Sequence, residues 1–153
     1  MKKELIILNL LLLVSTILFS QKNESIQVLD STSNVENTQV LNTEITIYFD
    51  FNSCDVNSRF YQGIDKFIEN LAKTKQYNVL ITGHTDDVGS DEDNNKLGLC
   101  RANSLKKYIL SKGIVETRIK VNSKGEKIPI ADNSTDEGAA KNRRVVLNLV
   151  ERK

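Results

Sequence analysis

The 153-residue chain carries almost no excess of charge: 21 basic and 20 acidic side chains leave a formal net charge of +1. A field that weak points to neither nucleic acid nor an anionic membrane surface as the main partner. Histidine is nearly absent too, with His84 alone. A zinc site built on His84 and Asp86 would want further ligands, and a nucleophile with a histidine base would have to use His84, near which no serine or cysteine sits in an elbow context. No metal, cofactor or enzymatic activity is therefore expected. Cysteine is confined to Cys54 and Cys100, 46 residues apart and without a CxxC, a spacing that matches no zinc pattern. The apolar run Leu5 to Phe19 is 15 residues long, short of the ~20 that cross a bilayer comfortably. No cysteine stands at its end to accept a lipid.

What is present begins with Lys2 and Lys3, followed by that apolar run and an abrupt polar turn at Ser20 and Gln21. This is the pattern of an export signal over residues 1–20, the alternative being an uncleaved membrane anchor. Export puts Cys54 and Cys100 in an oxidising compartment, where they form either a disulfide or two buried free thiols. Residues 21–43 are rich in Gln, Asn, Ser, Thr and Glu without apolar period, which predicts a flexible tether with a reach of ~25–30 Å. Residues 44–153 remain for one folded domain.

Within that domain, Ile45, Ile47, Phe49 and Phe51 alternate with polar residues, predicting a strand. Phe60, Ile64, Phe67, Ile68 and Leu71 trace one stripe of a helix. A second short strand holds Val79 and Ile81 and ends at Gly83. A second helix is expected from Asp93 or Asn94, either able to cap it, to Gly113, with Ala102, Leu105 and Ile109 facing inward. Residues 118–122 and 143–150 read as the last two strands. Between them, 123–141 has little apolar content and holds the single proline, Pro129. The order β-α-β-α-β-β predicts an α/β two-layer sandwich, a mixed four-stranded sheet with both helices on one face.

The loop "GHTDDVGSDEDNN" concentrates acids and amides between the second strand and second helix. For most of them the plain reading is a solvated loop whose charge favours the helix start. Asp91 to Asn95 open like a calcium loop, but Lys96 stands where the turn needs Gly and Ala102 where the bidentate Glu belongs. The topology instead brings Asp86, at the end of a strand, and Arg101, in the early turns of a helix, to one edge. An acid and a base so placed form either a structural ion pair or the two jaws of a clamp.

These residues resemble the OmpA-like C-terminal domain, shared with the peptidoglycan-associated lipoprotein and the stator protein MotB, over most of Ile45 to Glu151. The matching motifs are "IYFDFNS", "GHTDDVGS", Asn94, Leu97, Arg101-Ala102, the "GI" at Gly113, Pro129 and "NRRV" from Asn142. The resemblance implies non-covalent binding of peptidoglycan through the diaminopimelic acid of its stem peptide, whose side chain ends in one ammonium and one carboxylate. The family's aspartate falls on Asp86 and its arginine on Arg101, which would meet the ammonium and the carboxylate respectively, the latter alongside N–H groups of the helix start. A lysine-type stem would give Arg101 no carboxylate. Asn52 and Asn94 match positions lining the family's pocket, and bond either ligand or loop. His84, Thr85 and Arg143 are expected to support the loop. Gly98 departs from the family's usual Ser, and as a helix glycine is expected to weaken the helix start by roughly 0.5–1 kcal/mol.

The sequence thus predicts an exported, non-enzymatic cell-wall-binding module of the periplasm, associated with the wall or the outer membrane. Peptidoglycan is the expected partner, with other envelope proteins in addition and no nucleic acid. The alternative is an envelope scaffold that keeps the fold and binds a protein partner. On the sequence alone, Arg101→Ala is expected to abolish wall binding without unfolding the domain.

Overall fold

A computed structural model describes residues 43–152 of the chain; the export signal and nearly all of the tether expected from the sequence lie outside the described residues. The strands are β1 (Glu44–Tyr48), β2 (Tyr77–His84), β3 (Ile119–Gly125) and β4 (Arg144–Glu151), and the helices α1 (Tyr61–Lys73), α2 (Asp91–Ser111) and α3 (Asp136–Asn142). Among the described residues no helix is long and apolar enough to cross a membrane.

The strands form one sheet in the order β1-β4-β2-β3, with β2 parallel to β3 and β4 antiparallel to both β1 and β2. The register follows from the apolar alternation, because a slip of one residue would turn every buried side chain to the other face. Ile45 pairs with Leu147, Leu147 with Ile81, and Ile81 with Val121; Ile47 pairs with Val145 in the next inward-facing row. Ile47, Val79, Ile81, Val145 and Leu147 are fully buried, and so are Ile64 and Leu71 of α1 and Ala102, Leu105 and Ile109 of α2. One core therefore lies between one sheet face and two helices. Arg118 locks the side of it: its guanidinium donates to the carbonyls of Leu71, Thr74 and Tyr77, joining the end of α1 to the start of β2.

Four details differ from the sequence expectation, the first being that β1 ends at Tyr48, so that Phe51, expected on its alternating face, is exposed in the turn that follows. Helix α2 starts at Asp91 rather than near Asp93 or Asn94, because Ser90 caps it: Ser90 Oγ accepts from the Asp93 N–H at 3.1 Å and donates to Asp93 Oδ2 at 2.7 Å. A serine followed by three acids suits a helix start better than an acid followed by amides, since side-chain capping and dipole then act together. Strand β3 runs to Gly125, beyond the expected 122. The stretch 123–141 contains α3, capped by Thr135, whose Oγ1 accepts from Gly138 N–H at 3.1 Å. Its stability comes from polar stitching that apolar periodicity does not register: Asn142, fully buried, accepts from the Ile130 and Ala131 N–H groups and donates to Ala131 O and Asn133 Oδ1.

Since β4 runs against both β1 and β2, those two are parallel to each other and to β3. The carboxyl ends of β1, β2 and β3 and the amino end of β4 therefore open on one edge. On that edge β2 and α2 approach unusually closely, at Gly83 and Gly98. A Cβ on Gly83 would lie 1.9 Å from the Gly98 carbonyl oxygen. Gly98 is thus a buried contact of the α2–β2 seam, and not merely the helix weakness that the sequence indicates.

Candidate functional site

The edge is organised around Arg101, whose side chain is fully buried. Each guanidinium nitrogen donates to a main-chain carbonyl: Nε to Ser53 O at 2.9 Å, Nη1 to His84 O at 2.9 Å, and Nη2 to Asp50 O at 3.1 Å. The fork therefore ties the turn after β1 to the end of β2, while its carbon lies 5.4 Å from the centre of the Phe49 ring. Burial lowers the Arg101 pKa to about 10; the Asp86 carboxylate works in the opposite direction and the Arg143 charge adds to the lowering. The group remains a cation at neutral pH, held by carbonyl dipoles rather than by a contacting carboxylate.

Asp86 is 3 % exposed. Its Oδ2 accepts from Arg143 Nη1 at 3.0 Å, and the Arg143 side chain retains 16 % exposure. Arg143 also donates from Nε to Phe49 O at 3.4 Å, and its own carbonyl accepts from Phe49 N–H at 2.9 Å. The acid of the loop thus pairs with an arginine 57 residues away, while the arginine of α2 has its fork turned to the backbone. Arg144, the second arginine of the "NRRV" motif, is buried and donates to Ile128 O at 3.1 Å.

The remaining predicted residues fall into two groups. Asn52 is exposed on the rim in the turn after β1, with φ of 49°, a left-handed conformation that asparagine tolerates better than other side-chain-bearing residues. Asn94 is buried, and its Nδ2 donates to Glu126 Oε2. Thr85, also buried, donates its N–H to Gly125 O at 3.0 Å, continuing the β2–β3 pairing into the loop. Cys54 and Cys100 are joined in a disulfide with a Cα–Cα separation of 5.8 Å. That bridge fixes the residue after Ser53 to the residue before Arg101, beside the hydrogen bond between those two.

The amino end of α2 does not contribute a vacant anion site. Ser90 already satisfies the Asp93 N–H, and Asp91, Glu92 and Asp93 fill the first turn, where their charges would repel an incoming carboxylate. Arg101 lies ten residues further on, roughly 15 Å along the axis at ~1.5 Å per residue, so the helix start and the Arg101 fork do not converge on one small group. The acids read as a calcium-like opening belong to that first helical turn. Among the described residues, no group of three His, Cys, Asp or Glu side chains is placed to hold a metal ion.

His84 is 5 % exposed and its Nδ1 has no partner among the described residues. Burial lowers its pKa to about 4, assisted by the charges of Arg144 and Lys124. A neutral imidazole in the folded state against an ordinary one in the unfolded chain means that the unfolded state binds the proton first on acidification. This contribution is intact above pH ~6.5, fades below it and is lost at about pH 4, amounting to ~3 kcal/mol. Urea titrations at pH 7 and pH 4.5 should show the loss, and His84→Gln should flatten the dependence over that window. An equal pH dependence in both proteins would mean that other groups set it.

Glu126, Ser90 and the three carbonyls under Arg101 were invisible as site components in the sequence. Main-chain acceptors have no residue signature, and Glu126 lies in the stretch that apolar periodicity does not resolve. Arg143 was visible, but only as a supporting residue.

Residues 48–143 match the OmpA family. The chain is 36% identical over 107 residues to outer membrane porin F of Pseudomonas fluorescens, covering 70% of this chain and 33% of the porin. It is 36% identical over 102 residues to the peptidoglycan-associated lipoprotein of Buchnera aphidicola, covering 67% of this chain and 59% of the lipoprotein. The match thus spans between a third and three fifths of these relatives. In fold, the chain is similar to the crystal structure of the peptidoglycan-associated lipoprotein from Burkholderia pseudomallei, with a TM-score of 0.68, 27% identity, and coverage of 76% of this chain and 98% of that one.

Proposed function

This chain belongs to the OmpA family, and from that premise we propose that it binds peptidoglycan non-covalently, at the edge bearing Asp86, through the diaminopimelate of the stem peptide. The protein acts as a binding module rather than a catalyst, on the periplasmic side of the envelope at the wall or outer membrane, where relatives are named as outer membrane and peptidoglycan-associated proteins.

The observation that carries the reading is the Asp86–Arg143 pair, closed at 3.0 Å and near enough to Arg101 for both charges to act on its guanidinium. An acid held among two guanidinium groups at a strand-end rim matches a ligand tip with one ammonium and one carboxylate. Asp86 accepts from the ammonium, and the carboxylate meets the guanidinium charge. Asn52 adds an exposed amide at the rim. Asn94 holds the loop from within through Glu126, and Arg101 fixes the two backbone segments that border the edge. His84 and Thr85 hold the chain that leads into Asp86, the first through its carbonyl to Arg101 and the second through its N–H to Gly125 O.

Asp86→Asn keeps the shape of the side chain and an acceptor for Arg143, but removes the charge an ammonium requires. Its retention on purified diaminopimelate-type peptidoglycan should fall at least about tenfold, the equivalent of one lost charge-assisted contact. A thermal melt must show the variant folded at the assay temperature. Retention equal to that of the unmodified protein would sink the reading.

A further inference from the structure

We infer that the outer edge of β1 is a pairing surface for a second copy of this chain, joining two sheets into one through antiparallel β1 strands about a twofold axis at Thr46.

Strand β1 ends the sheet. Leu149 N–H reaches Thr43 O and Phe49 N–H reaches Arg143 O, so the main-chain groups of Ile45 and Ile47 turn to β4 while those of Glu44, Thr46 and Tyr48 point outward. Among the described residues no main-chain group meets them. Such an open edge is commonly guarded by lysine, proline or a bulge. The opposite edge strand, β3, exposes Lys120 and Lys124. Strand β1, with the sequence EITIY, has none of these devices, and its one charge is Glu44.

That charge is matched at the far end of the same strand. Ile45 and Ile47 turn to the core, so Glu44, Thr46 and Tyr48 share the sheet face that α1 and α2 do not cover. Tyr48, 36 % exposed, lines a cleft of about 330 Å³ together with Arg59, Ala140 and Lys141. The Arg59 guanidinium carbon lies 4.7 Å from the centre of the Phe60 ring, and that ring 6.5 Å from the ring of Tyr48, so stacking holds the cation beside the strand end. Neither Arg59 nor Lys141 forms an ion pair among the described residues. With Thr46 opposite its own copy, Glu44 of each strand lies directly opposite Tyr48 of the other, on the same face. Its carboxylate, which accepts from the Asn148 amide in the single chain, then stands at a cleft bearing two cations. A twofold interface repeats the match at both ends. The facing pairs, Glu44 with Tyr48 and Thr46 with Thr46, are also of the type that exchanges both main-chain bonds. On the other face Ile45, half-buried beside Gly63 of α1, comes opposite Ile47 of the second copy.

An edge of five residues is short, so the pairing is weak, with an expected dissociation constant of ~1–100 µM. It leaves no β1 edge for a third copy. The two β1 strands run in opposite directions, so the edges bearing Asp86 lie at opposite ends of the joined sheet, each open to a separate ligand. Pairing along β1 does not depend on what those edges bind.

Sedimentation velocity of the protein from about 1 to 300 µM should show a reversible monomer–dimer equilibrium without larger species. Thr46→Pro removes an outward N–H that β4 does not use, a change that an edge strand accepts, and should weaken the dimer at least about tenfold. Thr46→Lys replaces this variant if the proline protein does not melt cooperatively. Glu44→Lys and Arg59→Glu should each weaken the dimer about tenfold, since each sets like charges together at both ends, and the double variant should recover much of the loss. A protein that stays monomeric throughout would overturn the inference and leave the edge to an extended segment of a different partner. Assembly beyond a dimer would overturn it as well. A dimer unchanged in the folded Thr46 variant, or one that the double charge reversal fails to restore, would place the interface elsewhere and overturn it too.

Discussion

Arg101→Ala should lose about 3–5 kcal/mol of folding stability, the range expected when one partner of a buried charged cluster is removed. Three carbonyls, those of Asp50, Ser53 and His84, would be left without their donors. A buried acceptor stripped of its partner costs about 1–3 kcal/mol even before the space vacated by the side chain is counted. Against the ~5–15 kcal/mol that a domain usually has in hand, this is a large fraction. On the sequence alone the same variant is expected to lose ligand and keep its fold. The buried fork leads to a different expectation, and loss of wall binding by Arg101→Ala would by itself say nothing about contact with ligand. Urea denaturation at pH 7 measures the effect. Arg101→Lys should fall between, since an ammonium can reach some of the carbonyls but not all three in one plane. A change below about 1 kcal/mol in the alanine variant would show that the fork does not hold the two loops together.

The second large effect belongs to Gly83. Gly83→Ala introduces an atom 1.9 Å from the Gly98 oxygen and 2.5 Å from its carbonyl carbon, both backbone atoms of α2. Backbone in mid-helix cannot rotate aside as a side chain can, so helix and sheet must separate. The cost should exceed the ~1–3 kcal/mol of ordinary overpacking. Gly98→Ala is the informative contrast. Its Cβ would meet Ser123 Oγ at 2.2 Å, while its nearest backbone contact, Gly83 O, is 3.2 Å away. The serine hydroxyl can turn aside, giving up its bond to Gly125 N–H, and alanine regains helix propensity worth up to ~1 kcal/mol. Thermal melts should therefore rank Gly83→Ala far below Gly98→Ala. Equal melting temperatures would mean that the seam is not where the two elements are tightest. Any separation also reaches the site, because His84 O and Asp86 follow Gly83 directly and Arg101 follows Gly98 on the same helix.

Much of the architecture was legible along the chain, for identifiable reasons. Ile45, Ile47 and Phe49, and again Val145, Leu147 and Leu149, alternate because one sheet face is covered. Ile64, Phe67, Ile68 and Leu71 form a stripe because α1 has one buried side. Gly113, with φ of 88°, marks the turn after α2 as glycine commonly does. Less legible were the elements that polar atoms hold: α3 depends on Thr135 and Asn142, and the start of α2 depends on Ser90. Asp86 and Arg101 could be assigned to one edge because each follows or occupies a recognisable element. Their partners could not be read, because pairing there depends on which groups the fold brings within hydrogen-bond reach.

The amino-acid sequence by itself determined the order of the four strands and of α1 and α2, the buried faces of those two helices and of β4, and the family to which the chain belongs, since all of these are written in local periodicity and short motifs. Only the tertiary structure decided that Asp86 closes on Arg143 at 3.0 Å while Arg101 turns its fork to three carbonyls. Charge complementarity alone allows either arginine to meet the acid. The choice is made by burial: a guanidinium sealed inside the domain needs acceptors around it, and the Asp50, Ser53 and His84 carbonyls supply one to each nitrogen of Arg101, whereas Arg143, between α3 and β4, keeps partial exposure and reaches the carboxylate.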